Sequence, residues 1–467
     1  MDILYPNASE TNTTQVRPHN WLFIIHNIAR SLSLGAKVIV SLAMIMSLTI
    51  SAYARGDIYV SPQGNDKAKG TKEQPYATLA QAIKKVRPGQ TIWLRGGTYT
   101  PTEAEVMGSS LGGLYSCVFM LEKSGTADKP LTISAFSGEQ VIFDMSQIRP
   151  EGHRVSGFWL TGKHWHIKGL EVVGIQVTIK RHTQSENFSL TGCEECVIEQ
   201  CSMHSGMGIG VYARDARNCL ILNCDAYNNC DSISKDGRGG NSDGFGFHLA
   251  SPTSTGNVIK GCRAWLNSDD GFDLINNHAS VTIDSCWAWR NGYDIRGRKR
   301  ADGVGIKAGG YGLKKRRPDE VFPRNVIKNS ICVSNRNNGF YANHHLSGND
   351  WFNNRAYGNG RNYNMVCQKS PEENFDIAGY GHVLVGNVGF RARSAESELC
   401  QIDSARCQMQ DNLFGAPDGL TPESFVSLDV HELEQPRKAD GSLPDTHFME
   451  QKETVGSKRN NMTPKIF

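Results

Sequence analysis

Asn241-Ser-Asp-Gly-Phe-Gly-Phe-His-Leu-Ala250, Asn267-Ser-Asp-Asp-Gly-Phe-Asp-Leu-Ile-Asn-Asn277 and Ala301-Asp-Gly-Val-Gly-Ile-Lys-Ala-Gly-Gly310 are three variants of one phrase. Superposed on their Asp-Gly pairs, Asp243, Asp270 and Asp302 share one column, and Phe245, Phe272 and Val304 share the next but one. A phrase repeated in this way predicts stacked strands. Alternation along each strand then sends Phe245, Phe247, Phe272, Leu274, Val304 and Ile306 inward, with Asp273 and Lys307 outward. Asp243, Asp269 and Asp270 fall in the turn that enters each strand, from which a carboxylate reaches the same outer surface. Four carboxylates and one amine therefore line a single face. A second register, matching Gly271-Phe-Asp273 to Gly305-Ile-Lys307, shifts the third phrase by two residues and also leaves Lys307 outward.

The flanking sequence carries the same repeat. Val197-Ile-Glu-Gln-Cys201, Leu220-Ile-Leu-Asn-Cys224, Val258-Ile-Lys-Gly-Cys262, Val281-Thr-Ile-Asp-Ser-Cys286, Val326-Ile-Lys-Asn-Ser330 and Val383-Leu-Val-Gly-Asn387 form one column, and the tightest spacings, Cys201 to Cys224 and Cys262 to Cys286, are 23 and 24 residues. That period is one coil of a solenoid, and longer coils carry insertions such as 231–240 and 291–301 that loop out on one side. Two strand phrases recur in each period and the leucine-rich frame is absent. The fold class is therefore all-β, a single right-handed parallel β-helix over roughly residues 90–415. Thr78–Val86 has helical spacing, with Leu79, Ala82, Ile83 and Val86 on one face, and is expected to cap the first open edge.

The chain has 467 residues, 48 glycines and a formal net charge of +3, too small to point to nucleic acid. Arg30 and Lys37 precede an apolar run, Val38–Ile50, of about 13 residues against the roughly 20 a spanning helix requires, followed by Ala52-Tyr-Ala54. Residues 1–54 are expected to be a leader with a signal peptide cleaved after Ala54, 55–450 the β-helix domain, and 451–467 an unassigned tail. The mature protein is expected to be secreted and monomeric. Thirteen cysteines is an odd number, and Cys201, Cys224, Cys262 and Cys286 share one repeat position, which predicts an inward ladder of free thiols rather than a disulfide framework. Cys193-x-x-Cys196 lacks the second pair that a zinc ribbon requires.

Asp243 and the cluster Asp269-Asp270-Gly-Phe-Asp273 supply carboxylates from neighbouring coils about 4.8 Å apart, a separation at which like charges need a positive partner. An all-oxygen donor set without His or Cys favours calcium. Lys307 stands among Gly305, Ala308, Gly309 and Gly310, where a bulky polymer can approach the backbone. Arg290, Arg296, Arg298, Lys299 and Arg300 cluster in an insertion beside these strands and suit polymer carboxylates. Two other functions compete: a β-helix hydrolase, which needs an acid and a base or nucleophile, and a non-catalytic carbohydrate-binding solenoid using Trp265, Trp287 and Trp289 as platforms.

Asp243, the Asp269-Asp270-x-x-Asp273 cluster and Gly-Ile-Lys307-x-Gly-Gly are similar to the signature of polysaccharide lyase family nine, the parallel β-helix pectate lyases. The resemblance extends over about 57–450, including Ile58-Tyr-Val-Ser-Pro-Gln-Gly-Asn-Asp66 and Pro436-Arg-Lys-Ala-Asp-Gly-Ser-Leu-Pro444. It implies that Asp243, Asp269, Asp270 and Asp273 hold Ca2+ and that Lys307 is the Brønsted base. The implied substrate is an acidic plant cell-wall polysaccharide, pectate (homogalacturonan) first and the rhamnogalacturonan I backbone as the alternative. His248 lies next to the cluster as a candidate helper.

Overall fold

Short runs of β-branched and aliphatic residues, each ended by a residue that tolerates a left-handed backbone, build the coils. Gln200, Asn223, Gly261, Ser285, Asn329, Asn353, Gly386 and Asp411 occupy the position just before the Cys, Ser or Asn of the repeat, with φ between 52° and 68°. Asn, Asp and Gly reach that region at least strain, so the chain turns there and the next strand begins on a new face. The computed structural model describes residues 56–452, except 236, 311–321, 371 and 374. The leader and the tail from 453 onward lie outside the described residues, as does any test of cleavage at Ala54.

Among the described residues, three sheets of stacked strands, of 12, 11 and 11 members, build the solenoid, and all but the terminal hairpin of the third are parallel. The first sheet starts at Ile58–Val60, which pairs directly with Thr91–Leu94. The coil therefore begins some thirty residues before the start expected near residue 90, and the helix Leu79–Lys85 sits inside this first turn. Thr78 caps that helix by accepting the Gln81 N–H, and Leu79, Ala82, Ile83 and Val86 join the core.

The interior is a set of ladders. Phe158 stacks on Phe188, Phe245 on Phe272, and Phe340 on Tyr363, with ring centroids 4.8, 4.9 and 5.0 Å apart. At the turn between the second and third sheets, Asn229, Asn267, Asn291, Asn335 and Asn359 pass side-chain hydrogen bonds from coil to coil at 3.0–3.2 Å, and Asn359 ends the series on Asn362 of its own coil at 2.9 Å. Buried amides are satisfied only if every coil repeats the same geometry, so this ladder holds the register of the turns that carry the acidic cluster. A third ladder runs from Cys201, Cys224, Cys262 and Cys286 through Ser330 to Asn354 and Asn387, all buried.

Residues 415–452 cover the outer face of the second sheet. Leu420, Phe425, Leu433, Phe448 and Met449 pack on Trp287, Trp289, Ile331, Val333, Val388 and Phe390. Each large apolar side chain buried this way contributes roughly 1.5–3 kcal/mol before entropy is subtracted. Asp225 anchors the cover: Arg437 and Arg263 reach it at 2.7 and 2.8 Å. Burial acts to raise its carboxyl pKa, but the two guanidiniums outweigh it and hold the group below the usual range. Of the three tryptophans considered above as open sugar platforms, Trp287 and Trp289 are 4% and 5% exposed beneath this cover, and Trp265 alone is half-buried, so no row of open platforms is left for a binding-only solenoid.

All thirteen cysteines are free, ten of them buried. Thiol titration of the native, non-reduced protein should therefore reach at most Cys230, Cys400 and Cys407, and unfolding without reductant should expose all thirteen. A low count that persists on unfolding would mean disulfides and overturn the ladder.

Candidate active site

Three consecutive strands of the third sheet, Phe245–Phe247, Phe272–Asp273 and Ile306–Lys307, carry the site. Their register pairs Phe245 with Phe272 and Phe272 with Ile306. The Asp-Gly superposition is thus correct for the first two phrases and wrong by two residues for the third, where the second register, Gly271-Phe-Asp273 over Gly305-Ile-Lys307, is the one observed. Asp302 does not stack on Asp270; the residue in that column is Val304, whose N–H donates to Asp270 Oδ1 at 2.8 Å. The cause is the glycine column. A Cβ on Gly244 would lie 2.6 Å from the Gly271 carbonyl oxygen, one on Gly271 2.6 Å from that of Gly305, and one on Gly305 2.7 Å from that of Gly339. Only glycine fits this close approach, and it forces Gly271-Phe-Asp to lie over Gly305-Ile-Lys.

The predicted inward residues Phe245, Phe247, Phe272, Leu274 and Ile306 are in the core, and Val304 is buried beside it. Asp273 and Lys307 project to the outer side but are only 5% and 8% exposed, because they cover each other. Carboxylate oxygens of Asp243, Asp269 and Asp270 all lie within 4.8 Å of one another. Backbone donors orient them: Asp270 N–H to Asp243 at 3.1 Å, and Asp302 N–H to Asp269 at 2.9 Å. Lys307 Nζ donates to Asp270 Oδ2 at 2.9 Å and Asp273 Oδ2 at 3.3 Å. Asp273 is tied further by the Ile275 N–H at 2.8 Å and faces His248 Nε2 at 3.7 Å.

Charge is therefore concentrated in a buried space. Burial and the carboxylates of Asp269, Asp273 and Asp270 push Asp243 well above the usual carboxylate range, and burial with Asp270 does the same to Asp269. Burial pushes Asp270 up to about 6 although Lys307 opposes it. Burial would raise Asp273 too, but Lys307 and His248 bring it down to about 2. For Lys307 burial alone favours the neutral amine, yet Asp270, Asp273, Asp269 and Asp243 outweigh it and lift its pKa well above the ordinary value. Lys307 is thus a counter-ion that the sequence reading did not assign to the acidic cluster. One amine cannot balance four carboxylates, and the oxygen-only triad of Asp243, Asp269 and Asp270 fits a hard divalent cation.

Sequence reasoning missed Tyr341, which lies beside Lys307 in the next coil. Its signal was present in Asn338-Gly-Phe-Tyr341, a fourth copy of the phrase. Burial pushes its phenol up to about 12, so it is protonated at neutral pH. Of the basic insertion, Arg298 and Arg300 are both paired to Asp294 at 2.8 Å. Cys193, Cys196 and Cys219 have sulfurs within 4.8 Å of one another, but these are core thiols with no fourth ligand among the described residues.

A parallel β-helix with a lysine set among carboxylates on its outer face defines a class, the β-helix enzymes that act on acidic polysaccharides. Residues 58–374 match the family model described as Pel9A-like, right-handed β-helix region. The chain belongs to this family, polysaccharide lyase family nine, and is a polysaccharide lyase. It is 28% identical to pectate lyase L of Dickeya dadantii (strain 3937) over 396 residues, 83% of this chain and 82% of that one. A solved structure titled rhamnogalacturonan lyase is 40% identical, with a TM-score of 0.81, covering 85% of this chain and 96% of its own. The crystal structure of pectate lyase Pel9A is 26% identical with a TM-score of 0.64, covering 86% and 90%.

The raised carboxyl pKa values set the sign of a stability effect. A carboxyl that keeps its proton in the folded state, when the unfolded chain has released it near pH 4, loses stabilisation as pH rises through its folded pKa. For Asp270 that window runs from about 4 to about 6. Asp243→Asn removes one charge while an amide oxygen still accepts the Asp270 N–H. It should raise the thermal stability of the cation-free protein at pH 8, by about 1 kcal/mol or more, with no gain at pH 4. Melting curves in chelator at both pH values check this; an unchanged or lowered melting point at pH 8 would contradict the strained cluster.

Proposed function

We propose that the protein cleaves the uronate backbone of pectin by calcium-dependent β-elimination, with Lys307 as the base. The observation that carries this reading is Lys307 Nζ at 2.9 Å from Asp270 and 3.3 Å from Asp273, beside the buried oxygen triad. A hydrolase needs two carboxyl groups free to act as acid and base or nucleophile. Here the carboxylates are held by the lysine, by backbone N–H groups and by one another.

Asp243, Asp269 and Asp270 would hold calcium, with Asp273 next to them. When bound it supplies positive charge against these carboxylates and against the uronate group of the substrate. Lys307, as the free amine, takes the C5 proton alpha to that carboxylate. The C5–H electron pair forms the C4–C5 double bond, the C4–O bond breaks, and the leaving oxygen takes a proton from solvent, so no second catalytic acid is demanded.

The likeness to the rhamnogalacturonan lyase, at 40% identity against 26% for Pel9A, supports the alternating galacturonate–rhamnose backbone as substrate. Homogalacturonan is the second reading, supported by the pectate lyases at 28%. Both polymers offer the same C5 chemistry. The leader 1–54 supports export, and N-terminal sequencing of the secreted chain should find Arg55 first.

Chelation should abolish formation of the unsaturated product, read by its ultraviolet absorbance, and calcium should restore it. Lys307→Ala should lose about 1,000-fold or more in kcat. Because Asp270 and its neighbours hold Lys307 above its ordinary pKa, the free amine becomes available only as pH rises. Activity should therefore climb into the alkaline range, and Lys307→Arg should be inactive there because guanidinium stays protonated. Full activity after exhaustive chelation, or more than a tenth of wild-type turnover in Lys307→Ala, would falsify the mechanism.

A further inference from the structure

Resting on the lyase reading, we propose that an arginine-lined cleft beside the acidic cluster is a separate binding site for uronate carboxylates of the same polymer. The cleft is open, has a volume of about 530 Å3, and is lined by Arg290, Tyr293, Arg336, Arg391 and Arg393 together with backbone of the second-to-third-sheet turns. Among the described residues, no acidic one lines it. Among the described residues none of the four arginines makes an ion pair, whereas the nearby Arg298 and Arg300 both do, with Asp294.

What Arg336 and Arg391 touch orients them. Arg336 Nη1 donates to the carbonyl oxygens of Arg300, at 3.0 Å, and Ala301. Arg391 donates to the Tyr357 hydroxyl at 2.9 Å and lies over the rings of Tyr357 and Phe390. Arg290 and Arg393 are exposed. Four like charges in one concavity repel, and each guanidinium presents a fork matched to a carboxylate, so the ligand that relieves the repulsion is a repeated planar anion. A chain of uronates carries that anion at regular intervals.

The position ties the cleft to the reaction. A Cβ on Gly303, the residue after Asp302, would lie 2.7 Å from the Arg336 Cβ, and Asn337 beside Arg336 donates its side-chain amide to the Asp302 carbonyl at 2.6 Å, so Arg336 adjoins Asp302 in the coil after that of Lys307. Asp302 in turn donates its N–H to Asp269. The cleft then extends over Gly358, Asn359 and Gly360 and the coil of Arg391 and Arg393, along the edge that bears the acidic cluster. A polymer lying over Lys307 and running along the stack passes across it. The division of charge is complementary: the acidic cluster repels an anionic polymer, and the arginines, spread from the next coil to the fourth coil along the stack, attract it.

The test uses the full-length, calcium-loaded protein with Arg290→Ala and Arg393→Ala combined. Both side chains are exposed, so matched melting temperatures establish that the variant folds. The ratio of kcat/KM on long chains to that on the shortest cleavable oligosaccharide should fall about tenfold, and the double lysine variant should keep part of it. Measuring polygalacturonate and the galacturonate–rhamnose polymer in parallel shows which source of carboxylate the cleft takes. A second arm places the alanine pair in Lys307→Ala and reads retardation in gels containing each polymer, where retention should weaken. An unchanged ratio with unchanged retention overturns the cleft. Absence of unsaturated product from the wild-type protein on both polymers would instead overturn the lyase reading, and the retention arm would still decide the cleft.

Discussion

In a parallel stack held by strand-to-strand hydrogen bonds, whatever occupies a position in one coil meets its counterpart in the next at about 4.8 Å. For phenylalanine and asparagine this repetition is favourable, since rings stack and amides donate to the amide below. For aspartate it is not. Asp243 and Asp270 occupy successive positions in one column and Asp269 adjoins them, so like charges are pressed together where solvent cannot screen them. The solenoid therefore makes, by its own geometry, a site that demands positive charge.

Lys307 partly meets that demand. It enters through the same register, directly beside Asp273 in the next coil, and in the cation-free protein it is held as an ammonium by the carboxylates around it. The same contacts keep it in place and withhold its free amine, so the residue suited to accept a proton is also a structural counter-ion. Any positive charge added at the oxygen triad weakens that hold. The asparagine ladder beneath the turns bonds coil to coil and so keeps Asp243 and Asp270, on neighbouring coils, from moving apart to relieve their repulsion.

The outer face of the second sheet shows how the stack is kept dry where no substrate is needed. Its aromatic column, Tyr227 on Trp265 on Trp289, has rings 4.2 and 4.7 Å apart, and residues 415–452 close over the indole of Trp289. Arg437 and Arg263 hold that cover through Asp225. The third sheet, by contrast, carries on its outer side the row Tyr212, Gly246, Asp273, Lys307 and Tyr341, with His248 facing Asp273.

The repeat, its 23- to 24-residue period and the identity of the five residues at the centre were legible in the sequence, because a solenoid writes each coil as a local phrase with a turn residue at a fixed place. So were the helical cap and the free thiols, since Leu79 to Val86 and the cysteine column each follow a periodicity of their own. The third register was left open between two alignments. The insertion at 291–301 breaks the period, and the choice between Asp302 and Val304 over Asp270 depends on the close approach of Gly271 to the Gly305 carbonyl, a contact between residues 34 positions apart. Hidden were the burial of Trp287 and Trp289 under a segment more than a hundred residues away, the pairing of Lys307 with Asp270, and the meeting of Arg290, Arg336, Arg391 and Arg393 in one cleft. Periodicity within a coil is a property of neighbouring residues and can be read along the chain; which side chains face one another across coils is decided only when backbone hydrogen bonding and packing select one register.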